Sequence, residues 1–487
     1  MKRAKRLLAT ILAVACCFSV VGCGKDDEKK KTTTAFVGKE EIKVTTPAPS
    51  DGSDPDALTI TGIPEGAETE IEWLSYFDIN PAKGSAEKRA DLQLFEAYGG
   101  SIKYIRTTSL TKFDKLAELV LSGDYPDMFW FENNFPNTCI KDMFQPIDEL
   151  VDFDTALWSD VKDYAEIFTL GDKHYVAPIS FEAQSVITYD KNIIDTYGLD
   201  DPYELFLENE WTWETFEDIM REWVNLGDEE TPHYGINGWI QSHLVYTTGK
   251  TLVSRDEETG LFVSNIEDPD IERAENFMYE LAKDELYIGG WIGDAESAFK
   301  QNILFYAMGT WASIDTHTPK EGDNWRKVPM PRDPNADEHY ISVSPSAYMW
   351  VKGSTKSDAM KCWLECAKIV NTDESYKQAN KDKFFLNNPY WSEEDYDLVN
   401  NVLLSDEFNR VYDLSYGLTD MLSNNDAAQN ETKEAVINYV YNSVCKFDYE
   451  TNEQTTWAKL KNEYKTVIQN ELDIFNKELT NYLEKNS

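Results

Sequence analysis

The stretch that decides the fold is residues 171–191, GDKHYVAPISFEAQSVITYDK. The polar turn at residues 171–173 predicts a hairpin entry into a short strand. We expect that strand to end at Pro178, because proline has no N–H to donate to a neighbouring strand. A second, apolar strand should end at Tyr189. Residues 180–182, between the two strands, should then carry the chain from one lobe to another and leave their side chains at the wall of a cleft.

The chain before this stretch alternates between strand and helix patterns. Three strand-like runs are separated by segments with helical spacing of apolar residues: strands at 70–77, 101–107 and 127–131, and helices at 85–98 and from Thr111. This βαβαβ order predicts a parallel sheet with right-handed crossovers. In open parallel sheets ligands bind beyond the carboxyl ends of the strands. Those ends are residues 76–78 and 130–133.

The amino terminus resembles a bacterial lipoprotein signal. Residues 1–22 begin with lysines and arginines, continue as an apolar run, and lead through Val-Val-Gly into Cys23, which is similar to a lipobox. The resemblance implies cleavage before Cys23 and a diacylglycerol on its thiol; the alternative is an ordinary secretory signal with an incidental cysteine. Residues 23–67 contain prolines, threonines and lysines with few large apolar residues, so we expect a disordered tether.

The bulk composition excludes one class of partner and favours another. With 88 acidic against 46 basic residues, the chain lacks the basic face that nucleic acids require, so we expect no nucleic-acid partner. The roughly 420 residues after the tether are enough for two or more domains. The 14 tryptophans and 26 tyrosines exceed what a core alone would explain and suit a carbohydrate or peptide cleft.

The cysteines predict neither a disulfide framework nor a metal site. Cys362 and Cys366 are four residues apart in a helical pattern, a separation unsuited to a disulfide, and no histidine or further cysteine has ligand spacing near them. We expect these two residues, Cys139 and Cys445 to be buried free thiols. We also expect no cofactor and no metal.

Four segments resemble one known family. They are SGDYPDMFWFENNF (122–135), the stretch at 171–191, WTWETFEDI (211–219) and AFKQNILFYAMGTWA (298–312). In order and spacing they are similar to the extracellular solute-binding protein family 1, the sugar-capturing subunits of ATP-binding-cassette importers, of which maltose-binding protein is a familiar member. The similarity covers roughly residues 68 to 370. Asp190 departs from the asparagine that is usual there.

The resemblance implies an α/β, two-lobed periplasmic-binding-protein-like fold (type II). Each lobe should be a mostly parallel sheet flanked by helices, with a helical C-terminal region. Lobe 1 would comprise residues 68–180 with 328–371, and lobe 2 would comprise residues 181–327 with 372–487. The lobes would close on a ligand by a hinge motion.

Seven residues are candidates for ligand binding. Trp311 matches the position where the family presents a stacking aromatic to the sugar, and Trp239 lies between turn-like flanks as a second stacking residue. The other candidates are polar side chains at strand ends or in the crossing segment, suited to bind sugar hydroxyls: Tyr76, Asp78, Glu132, Asn133 and Glu182. The alternative is that the tryptophans lie in the core and the acids in solvated loops.

No motif indicates catalysis, and we expect a binding protein, not an enzyme. The resemblance implies a lipid-anchored monomer on the extracellular face of the cytoplasmic membrane. It would capture a carbohydrate, an oligosaccharide in our interpretation, and deliver it to membrane permease subunits. A surface glycoside hydrolase remains open, because 88 acidic residues always offer carboxylate pairs. A ligand-presenting receptor for a sensor kinase also remains open, as does a peptide or another polar solute as the ligand.

Overall fold

The structure, a computed structural model, describes residues 58–82, 88–423, 434–448 and 453–486. Cys23 and most of the proposed tether lie outside these ranges, so lipidation at Cys23 stays a prediction. Among the described residues, no helix combines the length and the apolar composition that crossing a bilayer requires.

The described residues form sixteen strands. In chain order they are β1 Glu70–Ser75, β2 Ser101–Arg106, β3 Met128–Trp130, β4 Thr169–Leu170, β5 Lys173–His174, β6 Ala177–Ala183, β7 Val186–Asp190, β8 Tyr234–Gly238, β9 Val253–Arg255, β10 Phe262–Ser264, β11 Ile303–Met308, β12 Trp325–Pro329, β13 Tyr340–Trp350, β14 Asn409–Val411, β15 Phe447–Asp448 and β16 Glu453–Gln454.

Helices connect and cover these strands. The α-helices are Ala90–Ala97, Lys112–Ser122, Asn137–Ile140, Lys162–Ala165, Lys191–Tyr197, Pro202–Leu207, Trp213–Leu226, Gln241–Tyr246, Pro269–Lys283, Ala295–Phe299, Ser357–Thr372, Glu374–Asn387, Glu393–Asp397, Asp420–Ser423, Val436–Ser443 and Trp457–Asn486. Short 3₁₀ helices lie at Ser159–Val161, Glu166–Phe168, Thr310–Ser313, Asp315–His317 and Leu414–Gly417, and a π-helical turn lies at Leu398–Val402.

The first sheet has the order β2-β1-β3-β13-β14, with β6 also paired to β13. β1 is parallel to both β2 and β3, which confirms the βαβαβ unit predicted from the sequence. β13 is antiparallel to β3 and β6 and parallel to β14. Helices Ala90–Ala97 and Ser357–Thr372 cover one face and bury a core that includes Trp73, Phe95 and Trp363.

The second sheet has the order β12-β7-β11-β8 and differs from the expected mostly parallel arrangement. β8 and β11 are parallel, but β7 is antiparallel to both β11 and β12. β7 enters the second sheet only two residues after β6, which pairs with β13 in the first sheet. The fold is nevertheless the α/β arrangement of two sheets flanked by helices that the sequence predicted.

The stretch at 171–191 forms its strands in other places than predicted. The turn at Gly171 does form a hairpin between β4 and β5. The prediction that a strand ends at Pro178 is wrong, because β6 runs through Pro178 to Ala183 and includes the supposed crossing segment. Proline is tolerated there because the pairing with β13 shifts register between Ser346 and Ala347, and proline is compatible with bulges in a ladder. Residues 184–185 make the crossing instead.

The four described cysteines are free and buried, as predicted. Cys362 and Cys366 lie on the helix Ser357–Thr372, where they pack in the first core. Cys139 and Cys445 lie in the larger core, which extends beneath both sheets and the C-terminal helices.

The last helix, Trp457–Asn486, which we call the C-terminal helix, packs on β10 and on the helices Pro269–Lys283, Val436–Ser443, Asp420–Ser423 and Asn137–Ile140. At 1.5 Å per residue its 30 residues span about 45 Å. Near its beginning Lys461 pairs with Glu272 at 2.6 Å, on a helix beside the second sheet. Near its end the hydroxyl of Tyr482 lies 2.5 Å from that of Tyr175, beside the first sheet. The helix therefore connects the two sheets on a surface outside their crossing segments, and the exact residue ranges of the lobes stay a prediction.

We expect Tyr482→Phe to lower the free energy of unfolding by ~1 kcal/mol, because it removes one part-buried hydrogen bond. Urea denaturation followed by circular dichroism would measure the change. Tyr464→Phe is the matched control, because this tyrosine on the same helix packs on Tyr439 and its hydroxyl has no hydrogen-bond partner among the described residues. Equal changes in the two variants would contradict the conclusion that the hydrogen bond between Tyr482 and Tyr175 stabilises the protein.

Candidate functional site

A cleft of about 450 Å³ lies where the two sheets face each other. The second sheet contributes the carboxyl ends of β8 and β11, and the first contributes the start of β13 and the residue after β6. The C-terminal region supplies a third wall, from residues 411–416 and the helix Val436–Ser443. The cleft thus lies at the carboxyl ends of β8 and β11, whereas the sequence pointed to the ends of β1 and β3; of the residues predicted there, 76–78 and 130–133, only Asn133 lines it.

Three tryptophans form a cluster at this cleft. Trp239 and Trp291 line it, and Trp311 contacts both, with ring centroids 6.1 Å from Trp239 and 6.2 Å from Trp291. The rings of Trp291 and Trp311 are nearly parallel, at 23°. Their exposed fractions are 43 % for Trp239, 67 % for Trp291 and 44 % for Trp311, in a chain that buries most of its other tryptophans. Flat apolar faces left open to solvent are suited to stack on a ligand.

The backbone beneath these tryptophans requires glycine at two positions, because a larger residue would clash there. A Cβ on Gly238 would lie 2.0 Å from the carbonyl oxygen of Ala307, and its φ of +109° is one that other residues rarely adopt. The amide N–H of Trp239 donates to that same carbonyl at 2.7 Å, and the hydroxyl of Ser185 donates to the carbonyl of Trp239 at 3.0 Å. A Cβ on Gly309 would lie 2.7 Å from the Trp311 ring. Gly309 therefore makes room for the ring of Trp311.

Asn237 holds the loop that carries Trp291. Its side-chain amide donates to the carbonyls of Ile288 at 2.7 Å and Gly290 at 3.0 Å. Asn237 is buried at the end of β8, two residues before Trp239. One amide side chain therefore fixes the position of the Trp291 loop beside Trp239.

A buried carboxylate lies at the base of the cleft. Asp413 Oδ2 accepts hydrogen bonds from the hydroxyls of Tyr246 and Tyr441, each at 2.9 Å. Asp413 Oδ1 accepts from the amide N–H of Ser415 at 2.9 Å and from its hydroxyl at 2.5 Å. Burial raises the pKa of this carboxyl above its usual value, and the hydrogen bonds act in the opposite direction. Because all four partners donate, the arrangement fits the ionised form.

His243, also in the cleft wall, is uncharged at neutral pH. Its Nδ1 lies 2.6 Å from the hydroxyl of Ser342, on β13. Burial lowers the pKa of His243 to about 4, because the protein around it disfavours the imidazolium form. The side chain therefore serves as a neutral hydrogen-bonding group.

Of the seven candidates from the sequence, the structure brings four to the cleft or its edge. Trp239 and Asn133 line it, and Trp311 contacts the lining tryptophans. The amide oxygen of Asn133 accepts from the hydroxyl of Tyr412 at 2.8 Å. Glu182 pairs with Ser344 across β6 and β13, and directly opposed residues point to the same face of a sheet. Ser344 lines the cleft, so Glu182 lies at its edge.

Glu182 has no ion-pair or hydrogen-bond partner for its side chain among the described residues. Its side chain is exposed to solvent, yet desolvation by the surrounding protein raises its pKa above the usual value. An unpaired carboxylate in a concave site is available to accept hydrogen bonds from a ligand.

The structure does not bring the remaining three candidates to the cleft lining. Glu132 pairs with Lys112 at 2.8 Å, and the Lys112 ammonium lies 5.3 Å from the Tyr76 ring centroid. Burial, and then the charge of Glu132, raises the pKa of Tyr76 to about 12. Asp78 accepts hydrogen bonds from the amide N–H of Asn80 at 2.9 Å and from its side chain at 3.0 Å, which shapes the turn after β1.

Sequence reasoning missed several residues of the cleft. Trp291 lies in Gly-Gly-Trp-Ile-Gly, and like Trp239 it directly follows a glycine in a turn-like segment, which is the signal that could have found it. Asp413, Tyr441 and Tyr246 carried no such signal, because they are far apart in the chain and meet only in the folded protein. Within the part of the chain that the structure describes, no three His, Cys, Asp or Glu side chains gather in a way that could hold a metal ion.

Comparison with known sequences identifies a family match over most of the folded chain. Residues 80–368 match the family of bacterial extracellular solute-binding proteins, which agrees with the resemblance noted in the sequence. No curated protein sequence matches the chain.

Several solved structures share the fold. An ABC substrate-binding protein from Listeria monocytogenes in complex with cycloalternan has 16% identity and a TM-score of 0.55, with 85% of this chain and 99% of that chain covered. The galacto-N-biose-/lacto-N-biose I-binding protein of Bifidobacterium longum, in complex with lacto-N-biose, has 13% identity and a TM-score of 0.58 over 85% and 99%. UgpB from Mycobacterium tuberculosis, in complex with glycerophosphocholine, has 13% identity and a TM-score of 0.57 over 83% and 99%.

Proposed function

Because the chain belongs to the bacterial extracellular solute-binding protein family, we propose that it captures a carbohydrate and delivers it to the permease subunits of an ATP-binding-cassette importer. In this proposal the ligand is an oligosaccharide. The observation that carries it is the cluster of Trp239, Trp291 and Trp311, exposed beside a cleft whose other walls are rich in amides and hydroxyls. Aromatic faces suit the apolar faces of sugar rings, and amides and hydroxyls suit their hydroxyl groups.

Capture would proceed by closure of the two sheets around the ligand. The tryptophans, beside the second sheet, would stack on the ring, and Glu182 and Asn133, both on the side of the first sheet, would accept hydrogen bonds from its hydroxyls. A ligand that contacts both walls favours the closed form and shifts the population toward it. The closed form would then present to the permease a surface formed by both lobes.

Hydrolysis is the less favoured function for this cleft. A glycosidase needs two carboxyl groups flanking the scissile bond, one of them free to act as nucleophile or base. Of the two carboxylates at this cleft, Asp413 already accepts four hydrogen bonds and is buried. Glu182 is the other, and a single available carboxylate supports binding better than catalysis.

Thermal unfolding of the mature chain with a panel of mono- and oligosaccharides tests the proposal, with reducing-end release assayed in the same wells. A ligand at 100 times its dissociation constant adds about 2.7 kcal/mol of stability. Stabilisation by one glycan class without new reducing ends is the expected result. Stabilisation that decays as reducing ends appear would indicate a hydrolase, and no stabilisation across the panel would contradict a sugar ligand and favour peptides or other solutes.

We further propose that the protein is tethered through a diacylglycerol on Cys23, with residues 23–67 as a spacer. The support is the lipobox-like sequence before Cys23. Cys23→Ala should abolish incorporation of labelled fatty acid and move the protein from the membrane fraction to the medium, since a thioether-linked anchor needs the thiol. Continued labelling of this variant would contradict the anchor. A wild-type protein that is unlabelled and released would indicate an ordinary secretory signal.

A further inference from the structure

The charges around the cleft are all of one sign. Among the described residues that line it, Asp413 has the only acidic side chain, and its hydrogen-bond donors fit the ionised form; His243 is neutral and no lysine or arginine takes part. Glu182 adds a second carboxylate at the edge. A bound carboxylate, sulfate or phosphate group would therefore meet negative charges and no cation.

Two cations that neighbour residues of the cleft in sequence or on the sheet are engaged elsewhere. Lys112 is paired with Glu132 at 2.8 Å, outside the cleft lining. The Arg410 guanidinium lies 5.0 Å from the ring centroid of Phe181. Phe181 and Glu182 are consecutive on β6, so their side chains point to opposite faces of the sheet. Arg410 is therefore on the face away from Glu182 and does not neutralise it.

Asp413 also determines which hydrogen bonds Tyr246 and Tyr441, at the base of the cleft, can form with other groups. Tyr246 and Tyr441 each have a single hydroxyl proton, and both protons are donated to Asp413 Oδ2. The hydroxyl oxygens can then only accept further hydrogen bonds, as Tyr441 already does from the amide N–H of Leu252 at 2.9 Å. Acceptors suit the O–H groups of a neutral sugar and disfavour an anionic oxygen, which carries no proton to donate.

We propose that this cleft selects uncharged glycans over acidic ones, and that Asp413 and Glu182 impose the selection. Asp413 acts as a positioning residue that holds Tyr246 and Tyr441 as acceptors, and both carboxylates repel anionic groups. The inference rests on the proposed function, because it specifies the class of carbohydrate. Specificity of this kind comes from a repulsive element as well as from attractive contacts.

Titration calorimetry with matched trisaccharides tests the selection. The mature chain would be titrated with trisaccharides of glucose, galactose and mannose, and with the trisaccharides of the corresponding uronic acids. We expect the best neutral trisaccharide to bind at least about 10-fold more tightly than its uronate, as expected for an unscreened charge within a few ångströms. Equal affinities within a matched pair would overturn the selection but leave sugar capture standing. Failure of both classes to bind would contradict the proposed function and the selection together.

Two variants test the residues. Asp413→Asn removes the negative charge and introduces an amide N–H donor. At least one of the two tyrosines must then rotate its hydroxyl to accept from that donor. We expect the ratio of the affinity for the neutral trisaccharide to that for its uronate to fall about 10-fold. Because Asp413 is buried, its variant can fail to fold, so Glu182→Gln provides a second test at a position in contact with solvent. For this variant we expect the same affinity ratio to fall a few-fold. Glu210→Gln is the matched control, because it removes an exposed acid outside the cleft lining. An unchanged ratio in both folded cleft variants, or an equal fall in the control, would overturn the roles assigned to them.

Discussion

Replacing Trp239 and Trp311 together by alanine is expected to weaken trisaccharide binding by about 100-fold, because each stacked ring contributes ~1–2 kcal/mol and every 1.4 kcal/mol is a factor of ten. Both rings are more than two-fifths exposed and contact each other, so their removal leaves no void in the core. The free energy of unfolding without ligand should change by less than ~1 kcal/mol. Titration calorimetry with the best trisaccharide from the neutral panel would measure the loss of affinity.

Two further variants provide the controls for this experiment: a double substitution to phenylalanine and the substitution of a tyrosine outside the cleft. Trp239→Phe and Trp311→Phe together keep flat apolar faces, so binding should stay within ~10-fold of the unchanged protein. Tyr390→Ala removes an aromatic side chain of similar exposure that does not line the cleft. A loss of less than about 3-fold in the alanine pair, or an equal loss in Tyr390→Ala, would contradict stacking at the cleft.

The second large effect concerns Glu275, a buried acid that lies apart from the cleft. It is on the helix Pro269–Lys283, has no exposed surface, and neither carboxyl oxygen has a hydrogen-bond partner among the described residues. Each buried polar group without a partner costs ~1–3 kcal/mol. Glu275→Leu should therefore raise the free energy of unfolding by ~2 kcal/mol or more at neutral pH, as replacement of buried charged groups by apolar ones often does.

The pH dependence of this effect follows from the direction of the pKa shift. Burial raises the pKa of Glu275 well above its usual value of 4.5, so the folded protein keeps the proton at a pH where the unfolded chain has lost it. In that range the unfolded state binds fewer protons, and stability falls as the pH rises. The advantage of Glu275→Leu should thus be smallest below pH 4.5 and grow as the pH rises towards the pKa of the folded state.

Urea denaturation at pH 4.5 and at pH 7 would measure both the gain and its pH dependence. Glu280→Leu on the same helix is the control, because Glu280 is half-exposed and pairs with Lys283 at 2.6 Å. We expect this control to change stability by less than ~0.5 kcal/mol. A destabilised Glu275→Leu variant, or a gain that is the same at both pH values, would contradict the interpretation of an unpaired buried carboxyl.

The sequence alone determined the local order of the chain and the family. Alternating apolar patterns predicted the βαβαβ unit of β1, β2 and β3, because the period of burial along an element is set by residues near in sequence. The resemblance to the family pointed to Trp311, and the turn-like flanks pointed to Trp239. The spacing of Cys362 and Cys366 was enough to predict free thiols on one helix.

Only the tertiary structure decided the direction of β7, the path of β6 through Pro178 and the composition of the cleft. Pro178 is tolerated because of a register shift against β13, a strand more than 160 residues later in the chain. Asp413 meets Tyr246, 167 residues away in sequence, and Tyr441, 28 residues away. Hydrogen bonds of this kind depend on distances in space, and no periodicity in the chain encodes them. The sequence therefore determined most of the elements and pointed to two tryptophans at the cleft, whereas packing between distant segments decided which polar groups lie near them.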